Sequence, residues 1–153
     1  MKWTAREIRA EDIDRIRPRN PQSVSPERRR YFHEILADPE CYDGFTVEIE
    51  TGEILGMGLM YLPPASPGVG VVCVYATDLF PKYPLAVMKA CRECLEVMIE
   101  RNGIDTLAAW GAKADPALPR WFEAWGFERF ARPVNSPAGL DGQELYRKEL
   151  RNG

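Results

Sequence analysis

Hydrophobic residues recur at every second position in some segments of this chain and at every third or fourth position in others. These two periods predict a mixture of strands and helices. Segments in which apolar and polar side chains alternate, as at Phe45, Val47 and Ile49, predict half-buried strands. Residues 69–77 are almost entirely apolar and include four valines, which predicts a strand buried on both faces. Seven strands are predicted, at residues 3–9, 44–50, 54–62, 69–77, 105–111, 127–132 and 144–149.

Helices are predicted where apolar residues recur every three or four positions. Ser25-Pro26 favours a helix start, because serine accepts from first-turn amides and proline is tolerated at the first helical position. Asn102-Gly103 favours the end of the longest helix. The predicted helices span residues 11–16, 26–37, 84–101 and 115–125.

The element order is β-α-α-β-β-β-α-β-α-β-β, with a Thr51-Gly52 hairpin turn between the second and third strands. Antiparallel hairpins followed by β-α-β units predict a mixed α/β (α+β) sheet of six to seven strands, mainly antiparallel, with helices on both faces. A chain of 153 residues fits a single domain over residues 1–153.

Composition and charge exclude several classes of protein. Four Trp, six Tyr and six Phe argue against intrinsic disorder, and no apolar run reaches the ~20 residues of a membrane span. The net charge of −3 gives no general attraction to nucleic acid or to acidic membranes. The first residues lack an apolar leader, which predicts a cytoplasmic protein. The Arg28-Arg29-Arg30 run is interpreted as a solvated helix face rather than a nucleic-acid site.

Cys91 and Cys94 form a C-x-x-C motif, which is a candidate for redox or metal chemistry. The motif has no second pair and only the distant His33, so it supplies half a zinc site at most. It also lies within a helical pattern rather than at a strand-to-helix turn. We therefore interpret both cysteines as small residues on a buried helix face, and no metal site is predicted.

Three local sequences in this order resemble the GCN5-related N-acetyltransferase (GNAT) superfamily. Residues 8–16 (IRAEDIDRI) are similar to its first strand and helix, and residues 71–77 with the helix from Pro84 occupy the place of its coenzyme A motif. Residues 121–127 (WFEAWGF) resemble its late helix-to-strand signature, in which an aromatic pair precedes Gly-Phe. The similarity extends over nearly the whole chain.

The resemblance implies an N-acyltransferase that uses acetyl-CoA and acts on a small-molecule or peptide amine. In the family, two adjacent parallel strands diverge, the pantetheine arm lies along the free strand edge, and the next helix directs its amides at the pyrophosphate. Divergence is expected here between the fourth and fifth strands. The cofactor contacts expected from the resemblance are Val74, Tyr75, Ala76, Thr77, Lys82, Tyr83, Leu85 and Phe122.

Two departures from the family pattern concern the cofactor loop and the catalytic acid. The loop at 80–86 (FPKYPLA) lacks the family's glycines and has two prolines, although Lys82 can offer a charge to a phosphate. Many family members place a tyrosine acid on the late helix, where this chain has Phe122, which has no proton to donate. The asparagine often found seven residues earlier is Asp115.

Tyr75 and Asp78 are the candidate catalytic residues, because they lie at the end of the strand expected to diverge. Tyr75 would approach the acyl group, and Asp78 would deprotonate an amine directly or through water. Glu48 and Glu50 are weaker candidates for facing the acceptor. Cys73 is expected to be buried and to carry no acyl group.

A second interpretation is a GNAT-fold protein without catalysis, acting in a structural or binding role. The glycine-free loop resembles that of GNAT-like proteins from tailed phages and prophages. A homodimer or a phage structural partner is then expected. Either Phe80, Tyr83 or the tryptophans would fill the cleft, or an exposed apolar patch would mark the partner surface.

Overall fold

A computed structural model of the chain describes residues 1–19, 24–112, 123–124, 126, 128–129 and 143–150. These residues form a seven-stranded sheet. The strands are β1 (Trp3–Glu7), β2 (Tyr42–Ile49), β3 (Ile54–Tyr61), β4 (Val69–Ala76), β5 (Thr106–Ala112), β6 (Glu128–Arg129) and β7 (Gln143–Glu149).

The strands lie side by side in the order β1-β2-β3-β4-β5-β7-β6. Every pairing is antiparallel except that of β4 with β5, which is parallel. The predicted mixed and mainly antiparallel sheet is therefore confirmed, and its single parallel pair is the one expected to diverge.

Helices cover the two faces of this sheet. On one face, α1 (Asp12–Arg15) and α2 (Pro26–Leu36) pack over Ile54, Met57, Leu59, Cys73 and Tyr75. On the other face, α3 (Pro84–Asn102) packs over residues that include Val47, Leu55, Met60, Val72 and Leu107. β4 thus contributes Val72 to one core and Cys73 and Tyr75 to the other, as its apolar run predicts.

Observed boundaries agree with the predicted ones within about two residues for most described elements. A short 3₁₀ turn at Pro39–Cys41 was not predicted. The predicted helix at 115–125 and most of the strand at 127–132 lie outside the described residues.

A bulge in β3 changes which of its residues face α3. Val47 of β2 is opposite Gly56, whereas Glu48 is opposite Ile54, so Leu55 is an extra residue in β3. Leu55 consequently packs in the core beneath α3, and Ile54 packs beneath α2. A strict two-residue alternation would have assigned both residues to the wrong faces.

Asp12 connects β1, α1 and β2 through hydrogen bonds to its buried carboxylate. The Arg6 guanidinium donates to both carboxylate oxygens at 2.9 and 2.7 Å, and the Thr46 hydroxyl donates at 2.7 Å. The Arg9 amide adds a bond of 2.9 Å. Burial by itself would raise the pKa of Asp12, but these hydrogen bonds outweigh it and hold the pKa below its usual value.

Ser25 caps α2 as the sequence predicts, because its side-chain oxygen accepts from the Arg28 amide at 3.3 Å. Replacing Ser25 by Ala is expected to lower the free energy of unfolding by about 1 kcal/mol, since this amide would lose its partner. Ser25→Asp keeps an acceptor at this position and is the matched control. Urea unfolding of the three proteins tests the prediction, and equal midpoints would contradict it.

Candidate active site

Pairing between β4 and β5 stops partway along both strands. The parallel ladder runs from Val69 opposite Thr106 to Val72 opposite Ala109. Beyond it, β4 continues to Ala76 in register with β3, and β5 continues to Ala112 in register with β7. Because each strand follows its outer neighbour, the two diverge. We call the space beyond Val72 and Ala109 the β4–β5 gap; it confirms the predicted divergence.

Val74 directs its backbone N–H and C=O into the β4–β5 gap. The Tyr75 carbonyl lies 3.5 Å from the position that a Cβ on Gly56 would take, so this carbonyl points towards β3. Alternate residues of a strand present their backbone groups to opposite edges. The groups of Val74 and Ala76 therefore point away from β3 and towards the gap.

The segment after α1 closes the outer end of this gap. The Arg19 amide donates to the Ala76 carbonyl at 3.0 Å, and the Asp78 amide donates to the Arg17 carbonyl at 2.9 Å. Along β4, Val74 lies between these two hydrogen bonds and Val72, which forms the last pair with β5. No strand in the part of the chain that the structure describes pairs with this edge of Val74.

The N-terminus of α3 follows β4 after one short loop. Pro84 is its first residue, Tyr83 provides no side-chain cap, and the Val87 amide donates to the Tyr83 carbonyl at 3.0 Å. The amides of Leu85 and Ala86 belong to the first turn, where a helix supplies no acceptor. These two amides and the positive end of the helix dipole can bind an anion, although the loop before α3 lacks the family's glycines.

The predicted contacts in the loop and first turn are at the surface. Lys82 is exposed, and the side chains of Tyr83 and Leu85 are 36% and 85% exposed. All three are therefore accessible to a ligand at the start of α3. Thr77 is buried and donates from its hydroxyl to the Leu55 carbonyl at 2.6 Å, so it braces β3 against the end of β4.

Tyr75 lies on the face of the sheet that α2 covers. Its side chain is fully buried, its ring contacts Phe32 edge-on with centroids 5.6 Å apart, and the Arg28 guanidinium carbon lies 5.1 Å from its centroid. Burial raises the pKa of Tyr75 above the ordinary value for tyrosine. The hydroxyl is therefore protonated at neutral pH.

The hydroxyls of Tyr75 and Tyr31 have no hydrogen-bond partner of normal geometry among the described residues, although both are buried. The nearby Arg28 guanidinium opposes the rise in the pKa of Tyr75 but does not offset the effect of burial. Burial also raises the pKa of Tyr31. An unpaired buried hydroxyl costs about 1–3 kcal/mol, so two on the same face are unusual. The sequence reasoning missed Tyr31 and Arg28, because their proximity to Tyr75 depends on how α2 packs.

Asp78 lies apart from Tyr75, at the exposed end of β4. It lines a polar cavity of about 340 Å³ together with Arg15, Arg17 and the β2–β3 turn at residues 51–54. The Arg15 guanidinium donates to the Gly52 carbonyl at 3.2 Å and so fixes one wall. The structure therefore does not bring the two predicted catalytic side chains into contact.

Other sequence candidates have structural positions or lie outside the described residues. Glu48 belongs to the Arg6–Asp12 cluster, and the Glu50 carboxylate accepts from the Lys2 amide. The Phe80 ring packs over Gly56 of β3, where a Cβ would be 2.8 Å from it. Phe122, Trp121, Trp125 and Asp115 are among the residues that the structure does not describe.

All four cysteines are free thiols. Burial raises the pKa of Cys91 to about 12 and that of Cys94 to about 11, so both are protonated at neutral pH. Cys73 is buried beneath α2, and burial raises its pKa as well. Within the described residues, no three His, Cys, Asp or Glu side chains meet as metal ligands do, and no helix is long and apolar enough to cross a membrane.

Solved structures with this fold include several acetyltransferases. One from Streptococcus agalactiae has a TM-score of 0.72 at 12% identity, covering 97% of this chain and 98% of that one. An acetyltransferase of the GNAT family from Staphylococcus aureus has a TM-score of 0.71 at 12% identity, covering 98% and 100%. The N-acetyltransferase PseH of Campylobacter jejuni, in complex with acetyl coenzyme A, has a TM-score of 0.61 at 12% identity, covering 97% and 99%.

These similarities establish the fold over nearly the whole chain. The protein has the fold of the GCN5-related N-acetyltransferases, including the parallel strand pair that diverges. No protein-family model and no curated protein matches the sequence.

Proposed function

We propose that the protein is an N-acyltransferase that transfers an acyl group, acetyl in the simplest case, from coenzyme A to a small-molecule or peptide amine. The observation that carries this proposal is the backbone edge of Val74 in the β4–β5 gap, with which no described strand pairs, together with the N-terminus of α3, where Tyr83 provides no side-chain cap. A strand edge of this kind accepts an extended amide-bearing arm as an additional strand. The fold shared with acetyltransferases supports the same reading.

The pyrophosphate and the pantetheine arm of the acyl donor require different kinds of contact, and this chain offers both kinds. The amides of Leu85 and Ala86, with Lys82 nearby, suit the pyrophosphate, and the exposed Tyr83 and Leu85 side chains offer apolar contact. The Val74 carbonyl suits a pantetheine N–H, whereas the Ala76 carbonyl already accepts from the Arg19 amide. Phe122 is proposed as a further contact from the resemblance alone.

The proposed reaction is direct attack of the acceptor amine on the thioester carbonyl carbon. The C–N bond forms and the C–S bond breaks, while the Val74 amide donates to the thioester carbonyl oxygen as charge develops there. Asp78 accepts the amine proton, directly or through water, and the sulfur leaves as the thiolate, towards which the Tyr75 hydroxyl is proposed to donate a hydrogen bond. The Asp78 carboxyl then loses its proton to solvent, and the thiolate is released with coenzyme A.

Calorimetric titration with acetyl-CoA tests the proposal. Binding with a dissociation constant in the micromolar range is expected, together with a ligand-dependent rise in the melting temperature. The absence of both heat and thermal shift at millimolar acetyl-CoA would refute it. That result would favour the structural or binding role, including a homodimer or phage partner, as the remaining hypothesis.

Lys82→Glu is expected to weaken acetyl-CoA binding about tenfold to a hundredfold. It removes one charge-assisted contact, worth roughly 1.5–3 kcal/mol, and places a negative charge near the phosphates. Lys89→Glu is the matched control, because Lys89 is an exposed lysine within α3, more than a turn beyond the helix start that Lys82 precedes. Equal affinities of the two variants would argue against phosphate binding at this end of α3.

A further inference from the structure

An apolar cavity of about 60 Å³ lies between α3 and the sheet, on the face opposite the Tyr75 side chain. The helix provides one wall with Val87, Ala90 and Leu95, and β3 and β4 provide the floor. Well-packed protein interiors leave few voids larger than a water molecule. A cavity of this size beside the proposed donor site therefore needs an explanation.

Two glycines of β3 create the space. Gly56 and Gly58 lie on the same face of β3 as Met60, which packs beneath α3, so side chains at these positions would point at the helix. A Cβ added to Gly58 would meet nothing within 4 Å. The Phe80 ring covers Gly56 and leaves Gly58 open.

The cavity begins where the β4–β5 gap begins. Val72 and Ala109, the last pair of the parallel ladder, line the cavity, and so does Val74, the first gap residue beyond them on the same edge of β4. A chain held along Val74 can therefore pass from the gap into the cavity without crossing the sheet. This continuity distinguishes the cavity from an isolated packing defect.

The lining offers no hydrogen bond to water from its side chains. It consists of aliphatic and aromatic groups, methionines and the thiols of Cys91 and Cys94, both protonated at neutral pH. Cavities of this character stay dry and bind apolar guests. The expected occupant is a hydrocarbon group.

We propose that this cavity holds the hydrocarbon tail of the transferred acyl group, so that the preferred donor is a short-chain acyl-CoA such as butyryl-CoA rather than acetyl-CoA. The inference rests on the proposed function. A cavity of ~150 Å³ is enough for benzene, so about 60 Å³ fits roughly two or three carbon atoms beyond the carbonyl. Butyryl has three such carbons and acetyl has one.

Calorimetric titration with coenzyme A, acetyl-CoA, butyryl-CoA and octanoyl-CoA tests this inference. Each methylene buried in the cavity is expected to strengthen binding about fourfold, so butyryl-CoA should bind about fifteenfold more tightly than acetyl-CoA. Octanoyl-CoA should lose that advantage, because its chain exceeds the space. Equal affinity for acetyl-CoA and butyryl-CoA would overturn the inference while leaving the proposed function intact.

Two variants change the cavity in opposite directions. Gly58→Val fills it and should reduce the preference for butyryl-CoA over acetyl-CoA to about twofold or less, with coenzyme A binding unchanged as the internal control. Phe80→Ala removes the ring over Gly56 and should shift the preferred donor to hexanoyl-CoA. If neither variant changes chain-length preference, the inference is wrong. If coenzyme A itself does not bind the parent protein, the proposed function fails and the inference fails with it.

Discussion

Replacing Asp12 by Ala should lower the free energy of unfolding by about 3–5 kcal/mol. The substitution leaves the buried Thr46 hydroxyl and the Arg9 amide without this acceptor and removes two charge-assisted bonds from Arg6, although Glu48 still accepts from the Arg6 guanidinium at 2.9 Å. Each buried donor left unpaired costs about 1–3 kcal/mol, and the lost bonds from Arg6 add to that cost. For a domain of this length the melting temperature should fall by roughly 10 °C.

Asp14→Ala is the matched control for this prediction. Asp14 lies two residues away in the same helix, and its exposed carboxylate pairs with Arg29 at the surface. Exposed pairs contribute about 0–1 kcal/mol, so this variant should unfold nearly as the parent does. Similar destabilisation of the two variants would mean that the buried cluster has no special role.

The stabilisation by Asp12 should also depend on pH in a defined direction. Its pKa is lower in the folded protein than the ~3.9 expected when unfolded. The unfolded chain therefore takes up a proton first as the pH falls. The stability difference between the parent and Asp12→Ala should be constant above about pH 5 and shrink as the pH falls below about 4.

The Asp12 cluster illustrates what the sequence pattern could and could not predict. An acidic residue opening a helix at 11–12 was expected from the helix dipole alone, and α1 does begin there. Its burial depends on Thr46, which is far away in the chain and comes beside Asp12 only when β2 pairs with β1. Local patterns predict elements, whereas this cluster is a product of tertiary packing.

In the candidate site, too, the sequence pattern predicts the elements but not the way in which they pack. The apolar run at 69–77 predicted β4, but the point at which its pairing with β5 stops follows from the separate registers of β3 and β7. That divergence was expected only through the family resemblance. Gly56 and Gly58 carried a usable signal, because glycine within a strand often marks a bulge or an open space. The bulge at Leu55 and the cavity beneath α3 agree with it.

Tyr75 presents a sharper question, because its fully buried hydroxyl lacks a hydrogen-bond partner of normal geometry among the described residues, a cost that folding alone does not explain. The residue follows Val74 directly on β4, and burial raises the pKa of its phenol, so the hydroxyl keeps its proton and can donate a hydrogen bond. Such a donor fits the proposed reaction, in which negative charge develops on the departing sulfur. Position 122, where many members of the family have a tyrosine, is Phe in this chain.

Tyr75→Phe should therefore lower kcat by about tenfold to a hundredfold, the loss expected for one hydrogen bond to a charged group, with little change in the KM for the acyl donor. The fold should not suffer, because the ring contact with Phe32 remains and an unpaired polar atom is removed. An unchanged or higher melting temperature would verify this.

Tyr31→Phe makes the same atomic change on the same face of the sheet and is the matched control. Tyr31 belongs to α2 rather than to β4, so its hydroxyl is not adjacent to the edge that would hold the thioester. Its removal should leave kcat within about twofold of the parent value. Full activity of Tyr75→Phe would mean that the hydroxyl does not contact the departing sulfur, and equal losses in both variants would indicate a packing effect of α2.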